Sequence, residues 1–174
     1  GTTTLLQALS AEDGEVTLPH MLVQDEPDAP YRGLWVDLAR QWHELDTIRQ
    51  IIVMCRWYKI GYLQLHLTDD QSCVFTSKAY PEAASPGRHY TTGELRALEA
   101  FAKARGVTII PELEAPGHSG ALRKALPRLQ CAPAGGAMCP GREGTYEVLD
   151  VLVGEMLDVF RSTPYMHMGC DEVN

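Results

Sequence analysis

No apolar run in this chain reaches the roughly 18 residues that a membrane span needs. Long blocks of one charge are also missing, although the net charge is −8. Acidic and basic residues are interspersed, so there is no basic stripe of the kind that tracks a phosphate backbone. Neither a membrane nor a nucleic acid is therefore expected as a partner. The N-terminus, Gly1-Thr2-Thr3-Thr4-Leu5, lacks the basic and apolar regions of a secretion signal, which leaves the compartment open. Cys55, Cys73, Cys131, Cys139 and Cys170 form no C-x-x-C pair, and no paired histidines sit at helical spacing. No metal site follows from that pattern. Cys131 and Cys139 flank a Pro/Gly-rich loop and are placed to form a local disulfide in an oxidising compartment. Cys55 falls on an apolar helical face and reads as a small core residue. There is no internal repeat and no low-complexity segment.

What is present is the material of one globular domain: 174 residues, 45% hydrophobic and 22% charged. Residues 1–30 read as a lead-in, with a helical tail at Leu5-Leu6-Gln7-Ala8-Leu9 and an acidic, proline-rich connector at Gln24–Pro30. From Tyr31 onward, short β-like runs alternate with amphipathic helical stretches. Leu34–Leu38 reads as a strand. A helix follows over about Leu45–Lys59, with Leu45, Ile48, Ile51, Ile52 and Cys55 three and four apart and Gly61 at its end. Tyr62–Leu67 is the second strand. Thr91 or Thr92 before Glu94 marks the start of a helix running to Gly106. Val107–Pro111 is the third strand, a helix opens near Thr145, and Tyr165–Gly169 is the fourth strand. The order β-α-β-α-β-α-β predicts a parallel sheet with right-handed crossovers.

Polar residues collect after every strand. Asp37 and Arg40 follow the first. His66, Asp69, Asp70 and Gln71 close the second. Glu112, Glu114 and His118 follow the third, and Asp171, Glu172 and Asn174 the fourth. Any one of these has an ordinary structural explanation as a cap or turn residue. All four strands ending this way points to one shared pocket, because parallel α/β folds build their sites from the C-terminal strand ends.

The same segments resemble glycoside hydrolase family 20, the β-N-acetylhexosaminidases. Arg32-Gly33-Leu34-Trp35-Val36-Asp37-Leu38-Ala39-Arg40 is similar to that family's first barrel strand, and His66-Leu67-Thr68-Asp69-Asp70-Gln71 to its second-strand motif. Pro111-Glu112-Leu113-Glu114-Ala115-Pro116-Gly117-His118 resembles the third. Gly169-Cys170-Asp171-Glu172-Val173 resembles the catalytic Gly-Gly-Asp-Glu, and Met138-Cys139-Pro140-Gly141 echoes Leu-Cys-Pro-Gly. The resemblance implies an α/β fold made of the first four strands of a TIM-type (β/α)8 barrel, a parallel half-barrel over residues 31–174. It also implies substrate-assisted retaining hydrolysis of a terminal β-linked N-acetylhexosaminide, in which the 2-acetamido oxygen replaces an enzyme nucleophile. Glu172 is then the acid/base, a role that calls for a carboxyl group tuned toward working pH. Asp171 orients the acetamido group, and Asp69 and His118 support Glu172 as a relay. Arg40 supplies a forked donor to sugar hydroxyls. Glu112, Glu114 and Asp37 are expected around the substrate. No cofactor is implied.

The chain departs from the family pattern in three ways. Gln71 is followed by Ser72-Cys73-Val74 rather than Gly-Trp-Arg, and the second glycine of the catalytic motif is Cys170. A full barrel needs eight strands and about 250 residues, and the resemblance implies that the aromatic wall of the sugar pocket belongs to the four strands not seen in this sequence. Four parallel strands leave two open edges and an inner face expected to be apolar. A homodimer closing the barrel, the first strand of each copy on the fourth of the other, is the favoured solution. The others are a piece of a longer enzyme and a half-barrel whose first 30 residues cover the open face. An alternative function is a vestigial carbohydrate-binding module without efficient turnover.

Overall fold

The computed structural model describes residues 1–131 and 136–173. Helix α1 (Thr2–Gln7) and a hairpin of β1 (Ser10–Glu12) and β2 (Glu15–Thr17) precede the main unit. That unit is β3 (Gly33–Asp37), α2 (Leu45–Trp57), β4 (Tyr62–His66), α3 (Thr92–Lys103), β5 (Thr108–Ala115), α4 (Gly120–Ala125), α5 (Glu143–Val159) and β6 (His167–Gly169). Its sheet has the order β3-β4-β5-β6 with every pair parallel, which is a (β/α) half-barrel. Among the described residues no helix is long and apolar enough to cross a membrane.

The alternation in Tyr62-Leu63-Gln64-Leu65-His66 explains how the two faces differ. Successive side chains point to opposite sides of a strand, and Leu63 and Leu65 are fully buried in the core beneath the helices. That core continues through Ile48, Ile52 and Cys55 of α2, Leu95, Leu98 and Ala102 of α3, and Val148, Leu152 and Met156 of α5. At full burial, large aliphatic side chains of this kind each contribute about 1.5–3 kcal/mol of transfer free energy. Helix α3 starts with a complete capping box: Thr91 accepts from the Glu94 backbone while the Glu94 side chain takes the Thr91 N–H.

Gln64 and His66 point the other way, into the half-barrel, together with Trp35, Glu112 and Glu114. The inner face is thus largely polar, and the apolar patch expected there is not formed. The third strand is also longer than its sequence suggests, because Glu112 and Glu114 lie within β5 rather than in a loop after it. Proline gives a sheet no N–H, yet Pro111 lies inside β5. The Thr108 N–H and the Glu112 carbonyl both engage the β4 side, which turns the Pro111 nitrogen toward β6. The β6 ladder begins only at Glu112↔His167, so no bond is lost at Pro111.

The first 30 residues do not cover the open face. Gln7 donates to the Trp57 carbonyl (2.7 Å), and Asp25 takes Thr4 Oγ1 (2.8 Å) and Lys59 Nζ (2.7 Å). Trp57 and Lys59 lie where α2 ends and β4 is about to start, so these contacts hold the segment at the N-terminal end of the strands. The Cys131–Cys139 disulfide is present. Beyond it, the Met138 N–H donates to the Pro116 carbonyl (2.8 Å), bracing the turn that carries His118.

Candidate active site

An open cavity of about 530 Å³ lies at the C-terminal ends of the four strands. Arg40, His66, Glu112, Glu114, His118, Asp171 and Glu172 all line it, with Trp35, Gln64 and His167. Residues from four separate stretches of sequence therefore meet, as the strand-end pattern predicts. Asp37 and Asp69 stand behind the cavity wall. Asn174 lies outside the described residues.

Two chains of polar contacts run through the site. The first ends at Glu172, whose Oε2 is 3.1 Å from His118 Nε2. On the other side of that ring, Nδ1 is 3.7 Å from Asp69 Oδ1 and 3.4 Å from an Arg40 guanidinium nitrogen. Asp69 is fully buried. Its Oδ2 takes Arg40 at 2.6 Å and His66 Nε2 at 2.7 Å, and its Oδ1 accepts the Asp70 N–H at 2.6 Å. Asp37 accepts from both the backbone N–H and the guanidinium of Arg40, at 2.8 and 3.0 Å. Arg40 is thereby clamped by two carboxylates with part of its fork still exposed.

The second chain surrounds Glu112. Trp35 Nε1 and Gln64 Nε2 donate to its Oε2 at 2.7 and 2.8 Å, and His167 Nδ1 lies 3.2 Å from its Oε1. Burial pushes the Glu112 carboxyl up, but the neighbouring His66 imidazole and the donors Gln64 and Trp35 outweigh that and hold it well below the ordinary range. Glu114 goes the opposite way. Burial and the neighbouring Glu112 raise it to about 7, and the charge of Asp171 adds to the effect. The pair therefore favours one proton held on the Glu114 side.

Glu114 binds more protons folded than unfolded, so its stabilising share is complete below an ordinary carboxylate pKa and fades as pH climbs through about 7. Thermal unfolding followed from pH 5 to pH 8 is expected to show a falling midpoint, on the order of 1–3 kcal/mol in stability. Glu114→Gln should flatten most of that slope, and a variant retaining the full slope would contradict the assignment.

The backbone that presents the acidic pair is unusual. Gly169, Cys170 and Glu172 have φ of 66°, 67° and 45°, and His118 has 43°. Side chains rarely adopt this left-handed region, and such residues gather at functional sites. A methyl group on Gly169 would run into the Glu114 carboxyl, and one on Gly117 into the Asp171 carbonyl. These bends send the adjacent Asp171 and Glu172 along different directions into the mouth. Both are exposed.

Four cavity residues have no catalytic or binding role in the sequence reading: Trp35, Gln64, His167 and His66, the last appearing there only among the polar strand-end residues. The signal available for two of them is the period-two pattern that puts Gln64 and His66 on the inner face. Three sets of donor atoms lie within 4.8 Å of one another, where a cation would find ligands: His66/Glu112/Glu114, Asp69/Asp70/His118 and His118/Asp171/Glu172.

A parallel barrel segment with carboxylates, imidazoles and an arginine converging at its strand ends has the build of a barrel enzyme. The chain belongs to glycosyl hydrolase family 20, whose catalytic-domain model matches residues 30–174. It is 32% identical over 203 residues to a β-hexosaminidase of Vibrio furnissii, covering 98% of this chain and 33% of that protein. A chitooligosaccharidolytic β-N-acetylglucosaminidase of Ostrinia furnacalis is 32% identical over 168 residues, 87% of this chain and 28% of the relative. Among solved structures, a β-N-acetylhexosaminidase of Bacteroides fragilis superposes with a TM-score of 0.89 at 28% identity, covering 99% of this chain and 38% of that one. The exo-β-N-acetylglucosaminidase of Vibrio harveyi, solved with N-acetylglucosamine, gives 0.84 at 29% identity, over 98% and 32% of the two chains. The chain thus spans about a third of the length of the curated relatives it matches.

Proposed function

We propose that this half-barrel carries the reacting carboxylates of a β-N-acetylhexosaminidase that acts on a terminal β-linked N-acetylhexosaminide with retention. The observation that carries the reading is the line Glu172–His118–Asp69, with Asp171 directly beside its reacting end. Glu172 gives its proton to the glycosidic oxygen as the anomeric C–O bond breaks. The acetamido oxygen of the substrate forms the new bond to the anomeric carbon, and Asp171 takes the hydrogen bond of the acetamido N–H as that nitrogen gains positive charge. Glu172, now ionised, removes a proton from the water that opens the intermediate.

Arg40, fixed by Asp37 and Asp69, offers its exposed N–H groups to sugar hydroxyls. Glu112 and Glu114 are buried, which favours a supporting part in holding the strand end and the Asp171 turn. No cofactor enters, since the substrate brings its own nucleophile. Residues 31–174 carry this chemistry, and residues 1–30 form a lead-in at the other end of the strands.

The outer edges of β3 and β6 have no partner strand among the described residues, and Trp35 on β3 is 47% exposed at the cavity. A second copy meets both needs at once: each β3 pairs with the other β6, and two acidic mouths face one closed barrel. Turnover of p-nitrophenyl N-acetyl-β-glucosaminide, run beside the β-glucoside that lacks the acetamido group, tests the reading. Hydrolysis confined to the acetamido substrate is expected. Equal hydrolysis of both would contradict the substrate-assisted route, and binding without turnover would favour the carbohydrate-binding alternative.

A further inference from the structure

His66 lines the cavity, yet nothing above gives it a task. Its imidazole is buried, 2% exposed, and each ring nitrogen faces a carboxylate. Nε2 is 2.7 Å from Asp69 Oδ2. Nδ1 is 3.2 Å from Glu112 Oε1 and 3.6 Å from Glu114 Oε1, close enough for an ion pair although off the axis of a hydrogen bond. A neutral imidazole must aim a lone pair from one nitrogen. Here either choice would set that lone pair against a carboxylate oxygen, so the surroundings favour N–H on both sides.

The charged groups around the ring agree with this. Burial pulls His66 down, but Glu112 and Asp69 push it above its ordinary value, with Asp37 of β3 adding to the effect. Glu114 also faces the ring from β5. Arg40 shares Asp69 Oδ2, and His167 of β6 shares Glu112 Oε1. The acidic groups outnumber Arg40, the one permanent cation among these neighbours.

The consequence reaches Glu172 through Asp69. With Oδ2 filled by His66 and Arg40, and Oδ1 anchored by the Asp70 N–H, the Asp69 carboxylate cannot turn. Oδ1 is the atom facing His118, and His118 in turn meets Glu172. We propose that His66 is a positioning residue, a charged clamp between Asp69 and the Glu112–Glu114 pair that fixes the far end of the Asp69–His118–Glu172 line. This role rests on the glycosidase reading for its catalytic effect, but the clamp itself is a property of the fold.

The test uses His66→Gln, whose amide keeps a donor toward Asp69 but has no charge and no second donor toward Glu112. Nitrogen NMR of the unmodified chain is expected to show both His66 ring nitrogens still protonated above the usual midpoint of about 6.5. In the variant, the ring-nitrogen shifts of His118 should move, and kcat should fall about 10²-fold with KM within about threefold. If His66→Gln fails to fold, Glu112→Gln weakens the same clamp with the imidazole in place and should narrow the pH range of the protonated ring. An ordinary titration of His66, or unchanged kcat together with unchanged His118 shifts in the variant, would overturn the proposal. Absence of turnover in the unmodified chain counts against the glycosidase reading alone, and the nitrogen shifts still decide the role of His66.

Discussion

Replacement of Glu172 by Gln should lower kcat by about 10²–10⁴-fold, the usual worth of a positioned general acid and base, with sugar binding nearly unchanged. The amide is close in shape to the carboxyl and can still meet His118, 3.1 Å away. It has no acidic proton for the leaving oxygen and no basic site for the water. The size of the loss should depend on the aglycone. A p-nitrophenolate leaves without much help, whereas a sugar alkoxide does not, so the deficit should be larger on a disaccharide. Kinetics on both substrates, beside calorimetric binding of N-acetylglucosamine, check this. Turnover equal to that of the unmodified chain would remove Glu172 from the mechanism.

Asp171→Asn is the second large effect. The charge that builds on the acetamido nitrogen exists only as the oxygen attacks, so a carboxylate beside it stabilises the transition state more than the bound substrate. Losing a group aimed at developing charge costs about 3–4 kcal/mol, roughly 10²–10³-fold in kcat. KM should change far less. The same substitution removes a negative charge that acts on Glu114, so the pH dependence of unfolding should shift in the variant as well. A raised KM with kcat intact would reassign Asp171 to simple substrate binding.

Strand-end position brings these residues into one polar cluster, and their roles as acid/base, acetamido partner and relay are those the family resemblance implies. Asp171 and Glu172 follow a short apolar run, and Asp69 and His118 follow two others, so strand-end logic finds them. The Thr91–Glu94 capping box and the three-and-four spacing of Ile48, Ile52 and Cys55 are equally local, and those helices form where the pattern puts them. The third strand runs on past Pro111 to Ala115, and the proline is tolerated for a physical reason. Its missing N–H matters only on the side of the strand that is paired, and that is a tertiary fact. The hairpin of β1 and β2 is absent from the sequence reading although Asp13-Gly14, with φ of 49° and 83°, is a strong turn signal. Its strands have three residues each and show no buried face. His66 cannot be assigned from sequence, because its meaning lies in Asp69 on one side and Glu112 on the other, and Glu112 lies on a different strand.

In the proposed dimer, a second half-barrel faces the acidic pair and completes its pocket. Light scattering of the chromatographic peak, with the p-nitrophenyl N-acetyl-β-glucosaminide assay run across the same fractions, tests this most directly. The expected result is twice the 19.3 kDa chain mass and turnover that follows the dimer through the peak and disappears on dilution to monomer. Turnover carried by the monomer would contradict the need for closure, and an inactive monomer at every concentration would rule out a second copy as the missing half.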